Sequence, residues 1–413
     1  MRGQKLSTFF KGVASKRLAA VEVDPSLSNE HEFNGVTALK KVFGEVAGDE
    51  KHKYPARFVR MSDDEERNLS ADGQITWYDA RWKHPTRSEY RLYYSDNEVV
   101  PAANVGDLLV IARLEDDTVL LLMVEAGSTI ERQIVWLFGL PEIDQSELFA
   151  QSFIASSDVA LDSVRSRVLE MIGLETDLTD DDYLDRIRTT FGETFPTTKE
   201  FSVFARESVG EVDALNHPDE TLLLWMEREE LLFRTFEKYQ VEHQIREGFQ
   251  SVDDFVSYSL GVHNRRKSRA GHALENHLEA IFVGNAITYS RGAITEKSSR
   301  PDFVFPGIYA YEDETFPEKS LLMLGAKSSC KDRWRQVLAE AKRIHEKHLF
   351  TLEPGISLAQ TSEMRENNLR LVVPSALHES YLSSQRDWLM SLQDFLHVAR
   401  QKQEECPPFS LRP

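Results

Sequence analysis

The apolar positions of this chain follow two regimes. In the first, short runs rich in β-branched and aromatic residues are cut by turn signals. Residues 56–61, 75–78, 89–94, 107–113 and 118–124 read as strands, and the Glu115-Asp-Asp117 turn joins the last two in a hairpin. Ser128-Thr-Ile-Glu131 resembles a capping box opening a helix through Val135-Trp-Leu-Phe138, which stops at Gly139. From residue 146 the pattern turns helical and acidic, with breaks at Gly173 and around Thr179-Asp-Asp-Asp182 that mark a hinge region. Residues 221–243 then read as a helix dense in Leu and Glu, after which helices alternate with short strands. The expectation is a mostly-β, barrel-like domain over residues 1–145, a helical acidic linker region over 146–194, and an α/β domain over 195–413.

One stretch of the second regime carries chemistry. Leu321-Leu-Met-Leu-Gly-Ala-Lys327 reads as a buried strand ending in a lysine. Upstream, Arg300-Pro-Asp-Phe-Val-Phe-Pro306 puts Asp302 at the head of another short apolar run. An Asp on one strand and a Lys ending the next are half of a metal-dependent phosphodiesterase. The second acid commonly stands two residues before the lysine, but here that position is Gly325. A helix beginning near Lys331 would place Arg333, Gln336 and Glu340 on one stripe, with Val337, Ala341 and Ile344 on an adjoining apolar one. Glu340 is therefore the candidate second acid. A hard cation such as Mg2+ needs only one or two carboxylates with phosphate and water, and Lys327 is free to orient and acidify the attacking water.

Composition narrows the picture. Of 413 residues, 41% are hydrophobic and 28% charged, which fits a globular chain of two or three domains. A net charge of −19 excludes coating nucleic acid by a bulk positive field, so any DNA contact rests on local patches. Cys330 and Cys406 are too few for a disulfide framework, which points to a reducing cytoplasm. The start lacks the apolar run of a secretory signal, and no stretch reaches the ~20 apolar residues of a membrane span.

The residues also carry a resemblance. Asn264-Arg-Arg-Lys-Ser-Arg-Ala-Gly271, Arg300-Pro-Asp-Phe303, Tyr311-Glu-Asp-Glu-Thr-Phe-Pro317, Ala326-Lys-Ser-Ser-Cys-Lys-Asp-Arg-Trp-Arg-Gln336, Lys347-His-Leu-Phe-Thr-Leu352 and Leu371-Val-Val-Pro-Ser375 resemble the catalytic domain of EcoRII-type restriction endonucleases, a displaced-acid branch of the PD-(D/E)XK nucleases. The resemblance implies a restriction-endonuclease-like α/β catalytic domain and a Mg2+-dependent, sequence-specific double-strand DNA endonuclease leaving 5′-phosphate and 3′-hydroxyl ends. It carries Asp302, Lys327 and Glu340 onto the catalytic positions, adds Glu275 or Glu279 to the acidic cluster, and gives Tyr311 a supporting role. It also implies a homodimer, and a cognate DNA cytosine methyltransferase in the same system but not in physical contact. Two other readings stay open: a repair or structure-selective nuclease on the same core, and an inactive DNA-binding regulator.

Lys331-Asp332-Arg333 offers donor, acceptor and donor, suited to neighbouring C·G pairs in the major groove. In the related enzymes the equivalent triplet reads a CC/GG half-site, which is the half-site implied here. Arg265, Arg266, Lys267 and Arg269 form a basic run suited to phosphates. In the first domain Arg81, Lys83, Arg87 and Arg91 lie among Trp77, Tyr78, Trp82 and Tyr90, a basic and aromatic patch in an acidic chain. Residues 77–138 are similar to the effector-binding β-barrel of the EcoRII type, which puts Arg87, Glu89 and Arg91 on DNA-reading positions. Two signals are set aside. His345-Glu-Lys-His348 lacks the histidine spacing of a zinc protease and reads as a polar face of the helix carrying Glu340; Ser328 and Ser329 have no Gly-rich loop before them.

Overall fold

The computed structural model describes residues 5–23, 31–35, 37–140, 149–151, 163–174, 179–330 and 333–405. The chain divides into two units, Met1–Thr176 with Pro354–Ala359, and Asp177–Glu353 with Gln360–Pro413.

In the first unit, β1 (Phe10–Arg17), α1 (Ala20–Val23), β2 (Glu32–Gly35), α2 (Thr37–Phe43), β3 (Lys51–Met61), β4 (Leu69–Asp79), β5 (Tyr90–Tyr94), β6 (Leu108–Leu114), β7 (Val119–Val124), α3 (Thr129–Phe138), β8 (Phe149–Gln151) and α4 (Ser163–Met171) follow one another. The eight strands make one sheet in the order β2-β5-β4-β3-β7-β6-β1-β8. Its edges β2 and β8 do not pair with each other, so the expected barrel is a curled half-barrel.

The unbroken apolar runs of β6 and β7 follow from burial on both faces. Leu109, Ile111, Val119, Leu121 and Met123 enter one core with Leu39, Val42 and Phe43 of α2. Leu108, Val110, Leu120, Leu122 and Val124 enter another with Ile134, Leu137 and Phe138 of α3 and Val168 and Leu169 of α4. The β6–β7 hairpin is present with Leu108 opposite Val124. α3 starts at Ser128, whose Oγ accepts from the Glu131 N–H, and stops at Gly139 in the left-handed region at φ 59°. The Glu131 carboxylate reaches past the cap to the Gly127 N–H at 2.5 Å.

The second unit contains α5 (Asp181–Phe191), α6 (Thr198–Val209), α7 (Pro218–Glu247), α8 (Val252–Gly284), β9 (Ser290–Arg291), β10 (Phe303–Phe305), α9 (Ile308–Glu312), β11 (Leu322–Lys327), α10 (Trp334–Leu338), β12 (Lys347–Thr351), α11 (Leu358–Glu366, whose first two residues fall in the first unit), β13 (Leu369–Val372), α12 (Ser383–Arg386) and α13 (Leu392–Glu404). The sheet runs β13-β12-β11-β10-β9, parallel across β11–β12–β13 and antiparallel across β9–β10–β11. Leu322, Leu324 and Ala326 face a core built with Leu274, Leu278 and Phe282 of α8 and Phe395 and Leu396 of α13. Period-two alternation leaves Gly325 and Lys327 on the opposite face.

The helix expected to carry Glu340 is shorter than the spacing predicts. α10 ends at Leu338, Glu340 lies in the turn beyond it, and Ala341 takes a positive φ of 45°. Val337, Ala341 and Ile344 are buried as expected, but through a turn rather than one continuous stripe. His345 lies in a bend and His348 lies on β12, so the polar helical face expected for them is absent. His348 is buried, which pushes its imidazole down to about 4.

Candidate active site

The site is built on the sheet face that carries Lys327. Asp302 directly precedes β10, whose Phe303 pairs with Leu324 of β11. This register brings the Asp302 carboxylate beside the end of β11, where Oδ2 accepts from the Ala326 N–H at 2.7 Å and from Lys327 Nζ at 2.7 Å. Both side chains are mostly buried. Gly325 explains how α10 reaches this face: a Cβ there would stand 3.0 Å from Cγ2 of Val337 and 3.4 Å from Cδ1 of Leu349. The missing side chain lets Val337 settle on the strand, and the turn after α10 then delivers Glu340.

Glu340 responds electrostatically to both members of the pair. Its carboxyl is pushed up to about 7, first by burial and then by the Asp302 charge, while Lys327 and Lys347 pull it down. Its Oε2 is buried and, among the described residues, has no hydrogen-bond partner. Such an orphaned anionic oxygen costs free energy unless a cation or donor joins it. Among the described residues no group of three or more His, Cys, Asp or Glu side chains is gathered to hold a metal ion. Two carboxylates, one with an orphaned oxygen, nonetheless fit a hard cation that keeps most of its waters.

The other acids are already engaged. Glu275 and Glu279 on α8 are each 2.9 Å from the Arg291 guanidinium. Arg291 sits on β9 opposite Phe303, and nothing in its local sequence announces this role. Tyr311 is buried and donates its hydroxyl to Glu296. Burial and the Glu296 bond push its phenol above the usual range. Glu296 also accepts from the Lys342 N–H at 3.4 Å, just after Glu340. Lys347 is buried, which lowers its ammonium, and donates to the Ile344 carbonyl at 2.9 Å. Glu296 carries no motif, and the place of Lys347 beside Glu340 is visible only in the fold.

Of the DNA-reading triplet, Arg333 caps α10 and is exposed, while Lys331 and Asp332 lie outside the described residues. The basic run proves to be mid-helix in α8. Arg269 is buried, pairs with Glu230 and stacks 4.1 Å from the Phe233 ring centroid. Arg266 is 2.6 Å from the Glu237 carboxylate, and Arg265 donates to Gln240 at 3.4 Å. These side chains tie α8 to α7, with Arg269 buried and Arg266 about half exposed. The side chain of Lys267 is outside what the structure describes.

In the first unit, residues 80–89 form the connection from β4 to β5. Glu89 accepts from Arg91 Nε at 3.1 Å and pairs with Arg81, while Arg91 Nη1 lies 3.4 Å from Glu32. Lys83 lies over the Trp82 ring, and Arg87 is exposed. Trp77 and Tyr90 are buried against each other in the core, so of the expected aromatic patch Trp82 is the well-exposed member.

Residues 233–396 match the family model described as EcoRII C terminal. The type II restriction enzyme EcoRII of Escherichia coli is 50% identical over 180 residues, covering 43% of this chain and 45% of that enzyme. The type II restriction enzyme SsoII of Shigella sonnei is 26% identical over 214 residues, covering 45% of this chain and 69% of that enzyme. A structure of metal-depleted Ecl18kI in complex with uncleaved DNA aligns at a TM-score of 0.45 with 22% identity, covering 56% of this chain and 86% of its own. The chain thus spans less than half the length of the EcoRII enzyme it matches.

Proposed function

We propose that this chain, whose residues 233–396 match the family model described as EcoRII C terminal, is a type II restriction endonuclease, cutting double-stranded DNA in a Mg2+-dependent reaction at a site with CC/GG half-sites. The observation that carries the reading is the Asp302–Lys327 pair at 2.7 Å with the orphaned carboxylate oxygen of Glu340 under the influence of both charges. Asp302 and Glu340 would hold the ion, which when bound polarises the scissile phosphate and supplies an acidified water. Lys327, held by Asp302, would orient an attacking water and offer a positive charge to the phosphate oxygens as they gain charge. Hydrolysis leaves a 5′-phosphate and a 3′-hydroxyl. Lys331, Asp332 and Arg333 read the C·G pairs, with Arg333 held at the cap of α10. The protein acts as a homodimer, since paired half-sites call for paired readers. A second DNA copy bound at Arg81, Lys83, Arg87, Glu89 and Arg91 controls cleavage.

Digestion of a plasmid of known sequence with Mg2+, followed by sequencing of the ends, tests the activity and reads out the site. Lys327→Ala and Asp302→Ala are expected to lower cleavage by about 10²–10⁴-fold while specific binding in a mobility-shift assay survives. Full activity in either variant would remove the site assignment. Cleavage with no sequence preference, or only at branched or mismatched DNA, would point to a repair nuclease.

A further inference from the structure

Glu340 stands where a carboxylate is disfavoured, half-buried with one oxygen unpartnered and Asp302 close enough to repel it. Relaxation would carry it out to water, and no helix prevents this because α10 has already ended. Something in the turn at 341–343 must oppose that relaxation. Arg343 has the contacts to do so. Its Nη1 donates to the carbonyls of Tyr311 and, at 3.0 Å, Asp313; its Nη2 donates to the Phe316 carbonyl at 3.0 Å. Its own backbone N–H donates to the Tyr311 hydroxyl at 3.3 Å. One guanidinium thus ties the turn to the last turn of α9 and the segment after it through three carbonyls.

We propose that Arg343 is a positioning residue for Glu340, holding the turn beyond α10 so that the carboxylate stays beside Asp302 and Lys327. The inference rests on the reading of Glu340 as a metal-holding acid. A planar, five-donor fork can satisfy three carbonyls at fixed angles, whereas a lysine ammonium on a flexible stem cannot reproduce them. Groups that orient metal ligands from behind typically alter metal affinity by about 10–100-fold when removed.

The test compares wild type, Arg343→Lys, Arg343→Met and Glu340→Gln. Two quantities are read: the Mg2+ concentration for half-maximal cleavage, and equilibrium Mn2+ binding counted from the free-ion electron paramagnetic resonance signal with a cleavage-resistant duplex. Thermal denaturation and metal-free DNA binding are followed in parallel. Expected is a metal half-saturation raised about tenfold or more in both Arg343 variants, with DNA binding unchanged and no recovery in the lysine variant. A lowered melting temperature with wild-type metal binding would make Arg343 a stability residue only and overturn the proposal. Wild-type metal binding in Glu340→Gln would instead overturn the reading of Glu340, and this inference with it. Arg343→Lys keeps the charge and stem length, so it remains informative if Arg343→Met fails to fold.

Discussion

A carboxylate held half-buried beside another carboxylate is a cost that function must justify, and Glu340 carries that cost in full when no cation is bound. Its pKa rises from the ordinary 4.5 to about 7. The folded state therefore binds a proton there more tightly than the unfolded chain does, so folding loses stability as pH rises from 4.5 through 7. Below 4.5 the penalty vanishes; above 7 it is complete, at no more than about 3–4 kcal/mol. Metal-free Glu340→Gln is thus expected to be more stable than wild type in urea denaturation at pH 8, and the difference should shrink to about a quarter by pH 5. A constant gap across that range would show that the carboxylate is not strained. Bound cation reverses the sign by favouring the charged form. Acidification from pH 8 to 6 should accordingly raise the Mg2+ needed by wild type.

The fit between β11 and α10 is the element on which this arrangement turns. Gly325 replaces a side chain with open space that Val337 fills at 3.0 Å from the position a Cβ would take. Gly325→Ala is expected to cost about 1–3 kcal/mol in denaturant unfolding, because both neighbours are fully buried and close-packed. It should also depress cleavage by shifting the helix that leads to Glu340; wild-type stability and activity would mean Val337 has slack the geometry does not show. The sequence exposed the strand, the lysine and the missing acid because alternation and residue type are local signals. Extending the helix to Glu340 went too far because periodicity over Val337, Ala341 and Ile344 is satisfied equally by a turn with Ala341 at positive φ. Likewise the basic run around Arg269 displays its charge in the sequence but not its neighbours, because Glu230 and Phe233, which meet Arg269, lie on another helix. Arg291 went unread for the same reason, its meaning arising only from its place opposite Phe303 and below Glu275 and Glu279. Strand β1 was also unread, since Lys11, Gly12, Ser15 and Lys16 interrupt its apolar pattern.

At the scale of the whole molecule the charge of −19 sets the terms for DNA binding. A chain this acidic repels a phosphate backbone at long range, so every productive contact must be a local concentration of positive charge. In the first unit, Arg81 and Arg91 are partly neutralised by Glu89 and Glu32 and are thereby fixed in orientation. Arg87 is an exposed cation of the same connection, as are Arg81 and Lys83. Fixed, partly neutralised arginines suit base edges, whereas an exposed one suits phosphate. Arg87→Ala with Arg91→Ala should therefore weaken the response of cleavage to additional DNA sites while leaving basal cleavage of a single-site plasmid intact. Arg87→Ala alone should reduce the salt dependence of binding by about one phosphate contact, a change near 0.9 in the slope of log K against log salt. Because Arg87 is exposed, that single variant separates binding from folding. An unchanged response to added sites in the double variant would take the control function away from this patch and leave the EcoRII-like region to account for cleavage by itself.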